Sequence, residues 1–169
     1  MKNGTKVLIG SGVVVVLILI WFFGTRNSLV SLKEEVEMQQ SQIETTLQRR
    51  SDLIPNLVAT VKGYANHEEK VFTEIAEARS KLAGSIKSGD MKSISEANDT
   101  LDSALSRLLA ISENYPDLKA SEQFIALQDE LAGTENRISV ARQHYNEKVN
   151  TYNTEVQKFP TSIVAGMSG

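Results

Sequence analysis

The chain has 169 residues and a formal net charge of −3, with 41% hydrophobic and 23% charged residues. These proportions are ordinary for one folded domain and exclude wholesale disorder, while three prolines and ten glycines are too few for the turns of an all-β protein. Because no cysteine is present, disulfide scaffolds, thiol nucleophiles and thiolate metal sites are excluded as well.

The first predicted element is a membrane-spanning helix formed by residues 7–23. This segment contains no charged residue, and its only polar side chain is Ser11. About 17 residues approach the minimum for crossing a bilayer core, and aromatic residues close the segment as they do at membrane interfaces. A cleaved signal peptide is the alternative, although its apolar region is usually shorter and no small-residue cleavage site follows here. The residues taken to define the anchor are Val7, Leu17, Trp21 and Phe23.

Charges on the two sides of this segment predict its orientation. Lys2, Lys6 and the α-amino group precede it. Arg26 and Lys33 follow it, accompanied by two glutamates. The positive-inside bias therefore favours an internal N-terminus and a soluble domain outside the cytoplasm. Residues 1–26 are predicted to be a cytoplasmic stub and a single transmembrane anchor. The acidic remainder argues against nucleic acid or an anionic lipid surface as the main partner.

The second element is a long amphipathic helix, because apolar residues recur at helical spacing from Leu29 to Ile86. The pattern keeps its phase across Pro55, whereas a loop would give a following helix no reason to resume in step. The sequence therefore predicts one continuous helix that is kinked at Pro55. The alternative is a helix boundary, with Ser51 or Asp52 as the N-cap of a new helix.

A kink at this proline requires compensation from the surrounding packing. Proline leaves the carbonyl of Ser51 without its helical donor, at a cost of about 3 kcal/mol inside a helix. We expect Arg50 and Asn56 to supply donors near this point. Their expected partners, through buried hydrogen bonds from the last helix, are Tyr145 and Asn146.

Two further helices complete the predicted bundle. Gly89 is expected to end the first long helix as its C′ residue. The next helix is predicted for residues 91–115, followed by a proline-containing turn, and the last helix for residues 118–159. Long amphipathic helices joined by short turns predict an all-α, antiparallel bundle of three or four segments over residues 27–160. Residues 161–169 are expected to be a loose, flexible tail.

The sequence offers few residues for catalysis or cofactor binding. His67 and His144 are the two histidines, and neither has the neighbours that a zinc or carboxylate-bridged metal motif requires. No glycine-rich phosphate loop accompanies them. We therefore predict no metal, no cofactor and no enzyme activity. A hydrolase that uses His67 with Glu68 is the alternative from another functional class.

Polar residues that fall on or beside the apolar stripes are the candidate functional residues. Arg50 and Glu68 interrupt the stripes of the first long helix, where an unpaired charge is costly. In one interpretation these two side chains pair within the bundle or extend their charged ends to solvent. In the other, they belong to a polar patch that docks a partner. The candidate structural and interaction residues are Arg50, Asp52, Pro55, Asn56, Tyr64, Glu68, Asn136, Arg137, Arg142, Tyr145 and Asn146.

Several motifs together form one recognisable pattern along the chain. They lie at residues 49–58, 61–68, 115–119, 135–146, 152–153 and 159–160. On these motifs the sequence resembles the LemA family of bacterial membrane-anchored proteins over nearly its whole length. The resemblance implies a short N-terminus, one membrane span and a soluble antiparallel helical bundle, with no established enzymatic activity. It also implies that the segment around Pro55 belongs to the family pattern.

These features predict a non-enzymatic, single-pass membrane scaffold of the bacterial cell envelope that binds itself or other envelope proteins. The alternative is an adaptor or regulator of one membrane protease or transporter. The lipid bilayer is the predicted partner of the first helix. Self-association is expected through an exposed apolar stripe near the membrane, formed by Leu29, Leu32, Val36 and Ile43.

Overall fold

The protein is helical nearly throughout the part of the chain that the structure describes. The computed structural model describes residues 3–65 and 67–168, with no strand among them. The helices are α1 Asn3–Lys62, α2 Glu69–Ser88, α3 Met91–Ser112, α4 Pro116–Lys119, α5 Glu122–Gln157 and α6 Thr161–Ser168. The predicted all-α fold class is confirmed.

Helix α1 continues through Pro55, as the phase of the apolar pattern predicts. The predicted extension of the same helix to Ile86 is wrong, because α1 and α2 are separate helices. The break begins at Gly63, whose amide donates to the carbonyls of Ala59 at 3.3 Å and Thr60 at 3.2 Å, a tightened last turn. The buried apolar residues of α1 and α2 keep the same helical spacing across the break, so the periodicity of the sequence does not reveal it. The kink at the proline stays a prediction.

The last predicted helix is also divided. Residues 118–159, predicted as one helix, contain the end of α4, a break and then α5. Pro116 occupies the first turn of α4, a position where its missing N–H costs nothing, so the predicted turn becomes a helix start. The carbonyl of Ser121 then accepts the first bond of α5 from the amide of Ile125 at 3.0 Å.

The described chain separates into two compact units. The central unit comprises Gln40–Arg142, and the terminal unit comprises Met1–Gln39 together with Gln143–Gly169. Helices α2, α3 and α4 lie wholly in the central unit, and α6 lies in the terminal unit. The predicted domain boundaries after residues 26 and 160 stay predictions.

The central unit is a helical bundle with an apolar core. Segments of α1, α2, α3, α4 and α5 all contribute fully buried side chains, spaced mainly by three, four or seven residues along each long helix. The largest of them are Ile43, Leu47, Ile54, Leu57, Ile75, Leu82, Ile94, Leu101, Leu108, Leu118, Phe124 and Ile138. Burying an aliphatic side chain of this size contributes about 1.5–3 kcal/mol, so this face of each helix holds the bundle together.

A short turn joins α2 to α3 within the central unit. Gly89 has a φ of 69°, in the left-handed region, and its amide donates to the carbonyl of Ile86 at 3.2 Å. This confirms the predicted C-terminal glycine. Asp90 then caps α3, because its carboxylate accepts from the amide of Ser93 at 3.0 Å and from the Ser93 hydroxyl at 2.5 Å. Gln40 of α1 donates to the carbonyl of Gly89 at 2.9 Å and ties the turn to the bundle.

The N-cap of α3 is expected to make the folding stability of the protein depend on pH. Hydrogen bonds from the side chain and backbone of Ser93 hold the pKa of Asp90 below its ordinary value. A carboxyl whose pKa is lower in the folded state stabilises that state above its unfolded pKa, and the stabilisation is lost as pH falls through the folded pKa. Asp90→Asn keeps a capping oxygen but does not titrate. We expect the thermal stability of the wild type to approach that of Asp90→Asn on acidification, and Ser93→Ala to reduce this pH dependence.

Within the terminal unit, α5 runs beside α1. Lys148 Nζ lies 2.7 Å from Glu35 Oε2, and Leu29 is buried. The tail predicted to be loose is instead helical, as α6, and begins with the amide of Ser162 donating to the carbonyl of Lys158 at 2.8 Å. Short helices are marginal in isolation, and α6 gains support from packing because Val164 is fully buried.

Candidate functional site

Arg50 is the centre of a polar cluster inside the central unit. Only 7% of its surface is exposed. Nη1 donates to Oδ1 of Asn98 at 3.0 Å and lies 2.8 Å from Oε2 of Glu135. Nη2 lies 2.5 Å from Oδ1 of Asp102. Asn98 is fully buried and donates through Nδ2 to Oδ2 of Asp102 at 2.8 Å.

This cluster links three helices through one guanidinium. Arg50 belongs to α1, Asn98 and Asp102 to α3, and Glu135 to α5. The two carboxylates are partly exposed, which lowers the cost of holding two negative charges beside one positive charge. Arg50 therefore pairs within the bundle, where its planar group contacts several partners at once. Its Nε is buried without a hydrogen bond among the described residues.

Pro55 has no N–H to donate to the carbonyl of Ser51, and in the structure another residue donates to this carbonyl. Arg79 of α2 donates through Nε to the carbonyl of Ser51 at 2.9 Å and to the Ser51 hydroxyl at 3.2 Å. Ser51 is buried, so an unmade bond there would be costly. The expected buried hydrogen bonds of Asn56 and Asn146 are wrong, because both side chains are exposed.

We expect a double-mutant cycle to reveal the link between Arg79 and Pro55. Arg79→Met removes the donor and should cost about 1 kcal/mol in free energy of unfolding. In the Pro55→Ala background this cost should largely disappear, because the new backbone N–H supplies the carbonyl of Ser51. Urea unfolding of the four proteins measures the coupling. Full additivity would show that the Arg79 contact does not compensate for the proline.

The same cycle has a matched control. Asp52 is exposed, accepts a hydrogen bond from Gln48 Nε2 at 2.9 Å and lies 3.9 Å from Nη2 of Arg79. Exposed pairs of this kind contribute at most about 1 kcal/mol. Asp52→Ala should therefore have the same small effect with or without the proline.

The other polar candidates do not converge on one site. Tyr64, Asn136 and Arg137 are exposed, while Glu68, Arg142 and Tyr145 are half-buried. Nη2 of Arg142 is buried without a hydrogen-bond partner in the described part of the chain. Glu68 precedes α2, and its side chain makes no capping hydrogen bond. Along residues 3–65 and 67–168, no group of three or more histidine or acidic side chains is arranged to hold a metal ion.

The N-terminal part of α1 is the second candidate site. Leu17, Trp21 and Phe23 are exposed. Val7 lies in the helix, and its side chain is outside the described part of the structure. Among the described helices, α1 has one stretch that is long and apolar enough to cross a membrane by length and composition.

The chain combines an exposed apolar helix segment with a helical bundle. This combination is typical of membrane-associated helical-bundle proteins. The chain belongs to the LemA family, whose model matches residues 39–169. This confirms the resemblance found in the sequence. The family description names no enzyme activity.

Curated relatives are identical to this chain at about a quarter of the aligned residues. Magnetosome protein MamQ 2 of Paramagnetospirillum magneticum is 27% identical over 168 residues, which covers 85% of this chain and 61% of that protein. Magnetosome protein MamQ of Magnetospirillum gryphiswaldense is 26% identical over 166 residues, with the same coverage. Protein LemA of Metamycoplasma hominis is 29% identical over 144 residues, covering 85% of this chain and 65% of that protein. The chain thus spans somewhat less than two thirds of the length of these relatives.

Proposed function

We propose that this protein is a non-enzymatic, single-pass membrane scaffold of the bacterial cell envelope. Its apolar N-terminal segment would hold it in the bilayer, and its helical bundle would contact other copies or other envelope proteins. Membership of the LemA family and the apolar segment of α1 support this proposal. The buried polar cluster around Arg50 supports a structural rather than a chemical use of the bundle, because the guanidinium is enclosed by its own partners.

The observation that carries the proposal is the exposure of the apolar segment. From Leu8 to Ile20 the large apolar side chains are between 49% and 74% exposed. A continuous apolar surface of this size is unfavourable in water and favourable in a hydrocarbon core. Backbone groups in the segment are paired within the helix, as a membrane interior demands.

For self-association we propose a surface other than the stripe expected from the sequence. In the structure Leu29 and Ile43 are buried, and Leu32 and Val36 are half-buried, so much of that stripe already packs within the chain. Val30 and Met38 are the exposed large apolar residues of α1 beyond the aromatic end of the span, within the described residues of the terminal unit. We propose that these two side chains contribute to contacts between copies.

Crosslinking in native membranes followed by mass spectrometry tests the proposal. A dominant crosslink between copies supports the scaffold, whereas one heterologous partner in constant ratio supports the adaptor. Combining Val30→Glu with Met38→Glu should reduce the self-crosslink and the sedimentation coefficient in detergent. Ser31→Glu, an exposed neighbour, is the matched control. A wild-type protein that sediments as a strict monomer would contradict self-association.

The side of the membrane that the bundle occupies has a separate test. The chain has no cysteine, so a single Ser80→Cys on an exposed position of α2 gives a clean label. We expect an impermeant thiol reagent to label it in intact cells freed of any outer barrier. Labelling only after lysis would place the bundle in the cytoplasm and refute the proposed orientation.

A further inference from the structure

The turn after α5 and the short helix α6 expose apolar side chains in the terminal unit. Phe159 is 83% exposed, Ile163 is 52% exposed and Met167 is 72% exposed. Ile163 and Met167 lie one turn apart on α6, and Phe159 precedes the helix. Val164, by contrast, is fully buried and fixes α6 in place. The segment therefore has one side that packs and one apolar side that is exposed in the described part of the chain.

The start of α6 lies next to the aromatic end of the apolar segment. Trp21, Gly24 and Thr25 of α1 line one groove, of about 360 Å³, together with Glu155 and Thr161. All these residues belong to the terminal unit. The turn between α5 and α6 is therefore at the level along α1 where the apolar segment gives way to polar residues.

We propose that Phe159 and the exposed face of α6 enter the lipid bilayer at its interface, as a second membrane contact beside the span. This inference rests on the proposed function, because it requires that α1 crosses the membrane. If Trp21 marks the interface, an apolar side chain at the same level contacts the region between headgroups and acyl chains. Aromatic side chains favour this position.

The charges of the segment agree with a lipid contact. Residues 159–168 contain no charged residue. Lys158, just before them, is exposed and pairs with Glu155, and a lysine at the headgroup level can keep its ammonium in water. Thr161, the first residue of α6, borders the same groove as Trp21, so α6 begins beside the aromatic end of the span. This position beside the end of the span, together with the absence of charge from residues 159–168, favours lipid over a second protein copy as the occupant.

Depth-dependent quenching in liposomes tests this contact on the full chain. Single cysteines at Ile163 and, separately, at Phe159 are labelled with an environment-sensitive fluorophore. Lipids with a nitroxide high on the acyl chain should quench both probes and shift their emission to the blue. Thr151→Cys, on an exposed position of α5 in the same unit, should show neither effect. Adding Phe159→Ser should reduce the quenching of the Ile163 probe.

A probe at Leu17 separates the failure of this inference from the failure of the proposed function. Lipids with a deep nitroxide should quench Leu17→Cys. If that probe is unquenched, the span and the second contact both fail. If it is quenched while the Ile163 and Phe159 probes match Thr151, the second contact alone is refuted. A blue shift without quenching by lipid would mean that protein covers the face, and would also overturn the inference.

Discussion

Replacing Arg50 by methionine is expected to destabilise the central unit by about 2–4 kcal/mol. The substitution preserves much of the side-chain volume but leaves the fully buried Oδ1 of Asn98 without its donor. It also leaves Asp102 and Glu135 close together without their shared cation. Both carboxylates are partly exposed and regain some hydration, which places the expected loss below that of a fully buried ion pair. Urea unfolding of the full chain in detergent measures it.

The adjacent arginine is a matched control for this experiment. Arg49 Nη2 lies 2.6 Å from Glu130 Oε1, but both side chains are largely solvated. Arg49→Met should therefore change the free energy of unfolding by no more than about 1 kcal/mol. Equal losses for the two neighbouring arginines would mean that burial and multiple pairing give Arg50 no special role.

Two lysines in the apolar segment, Val15→Lys with Leu19→Lys, should remove the protein from the membrane fraction. A lysine near the centre of a transmembrane helix costs about 2.5–3.5 kcal/mol on insertion scales, so the pair opposes insertion by roughly twice that amount. The bundle lacks any other described segment of comparable apolar length to hold it there. Carbonate extraction followed by immunoblotting measures the distribution.

The control for this pair adds the same charges beyond the aromatic end. Asn27→Lys with Ser28→Lys changes two exposed residues of α1 and should leave the protein in the membrane fraction. Retention of the Val15 and Leu19 variant after carbonate extraction would show that insertion of this segment is not what holds the protein, and the proposed anchor would be wrong.

Periodicity predicted the elements that depend on local chemistry. The passage of α1 through Pro55 followed from an unbroken apolar phase, and the end of α2 followed from Gly89. Periodicity failed at Gly63, because a short break between two helices that face one core need not change the phase of their stripes. It also identified the apolar stripe containing Leu29 and Ile43, but could not show that other parts of the chain cover it.

The partners of the polar residues were harder to predict, because most are distant in sequence. Arg79 is 28 positions from Ser51, and nothing in the local pattern of α2 links the two. One partner did carry a signal. Asn98 falls between Ile94 and Leu101 on the apolar stripe of α3, the same type of irregularity that singled out Arg50 on α1. A rule that pairs polar residues on the apolar faces of different helices would have linked Arg50 with Asn98.

The donor that Arg79 supplies to Ser51 also affects the order in which parts of the fold can open. An uninterrupted helix completes its backbone bonds from its own residues, whereas α1 depends on α2 for one of them. Detachment of α2 would therefore strip a buried carbonyl of its donor in the middle of α1. Amide protons around Ser51 should then exchange with solvent in the same cooperative step as those of α2, although α1 alone has the greater helical length.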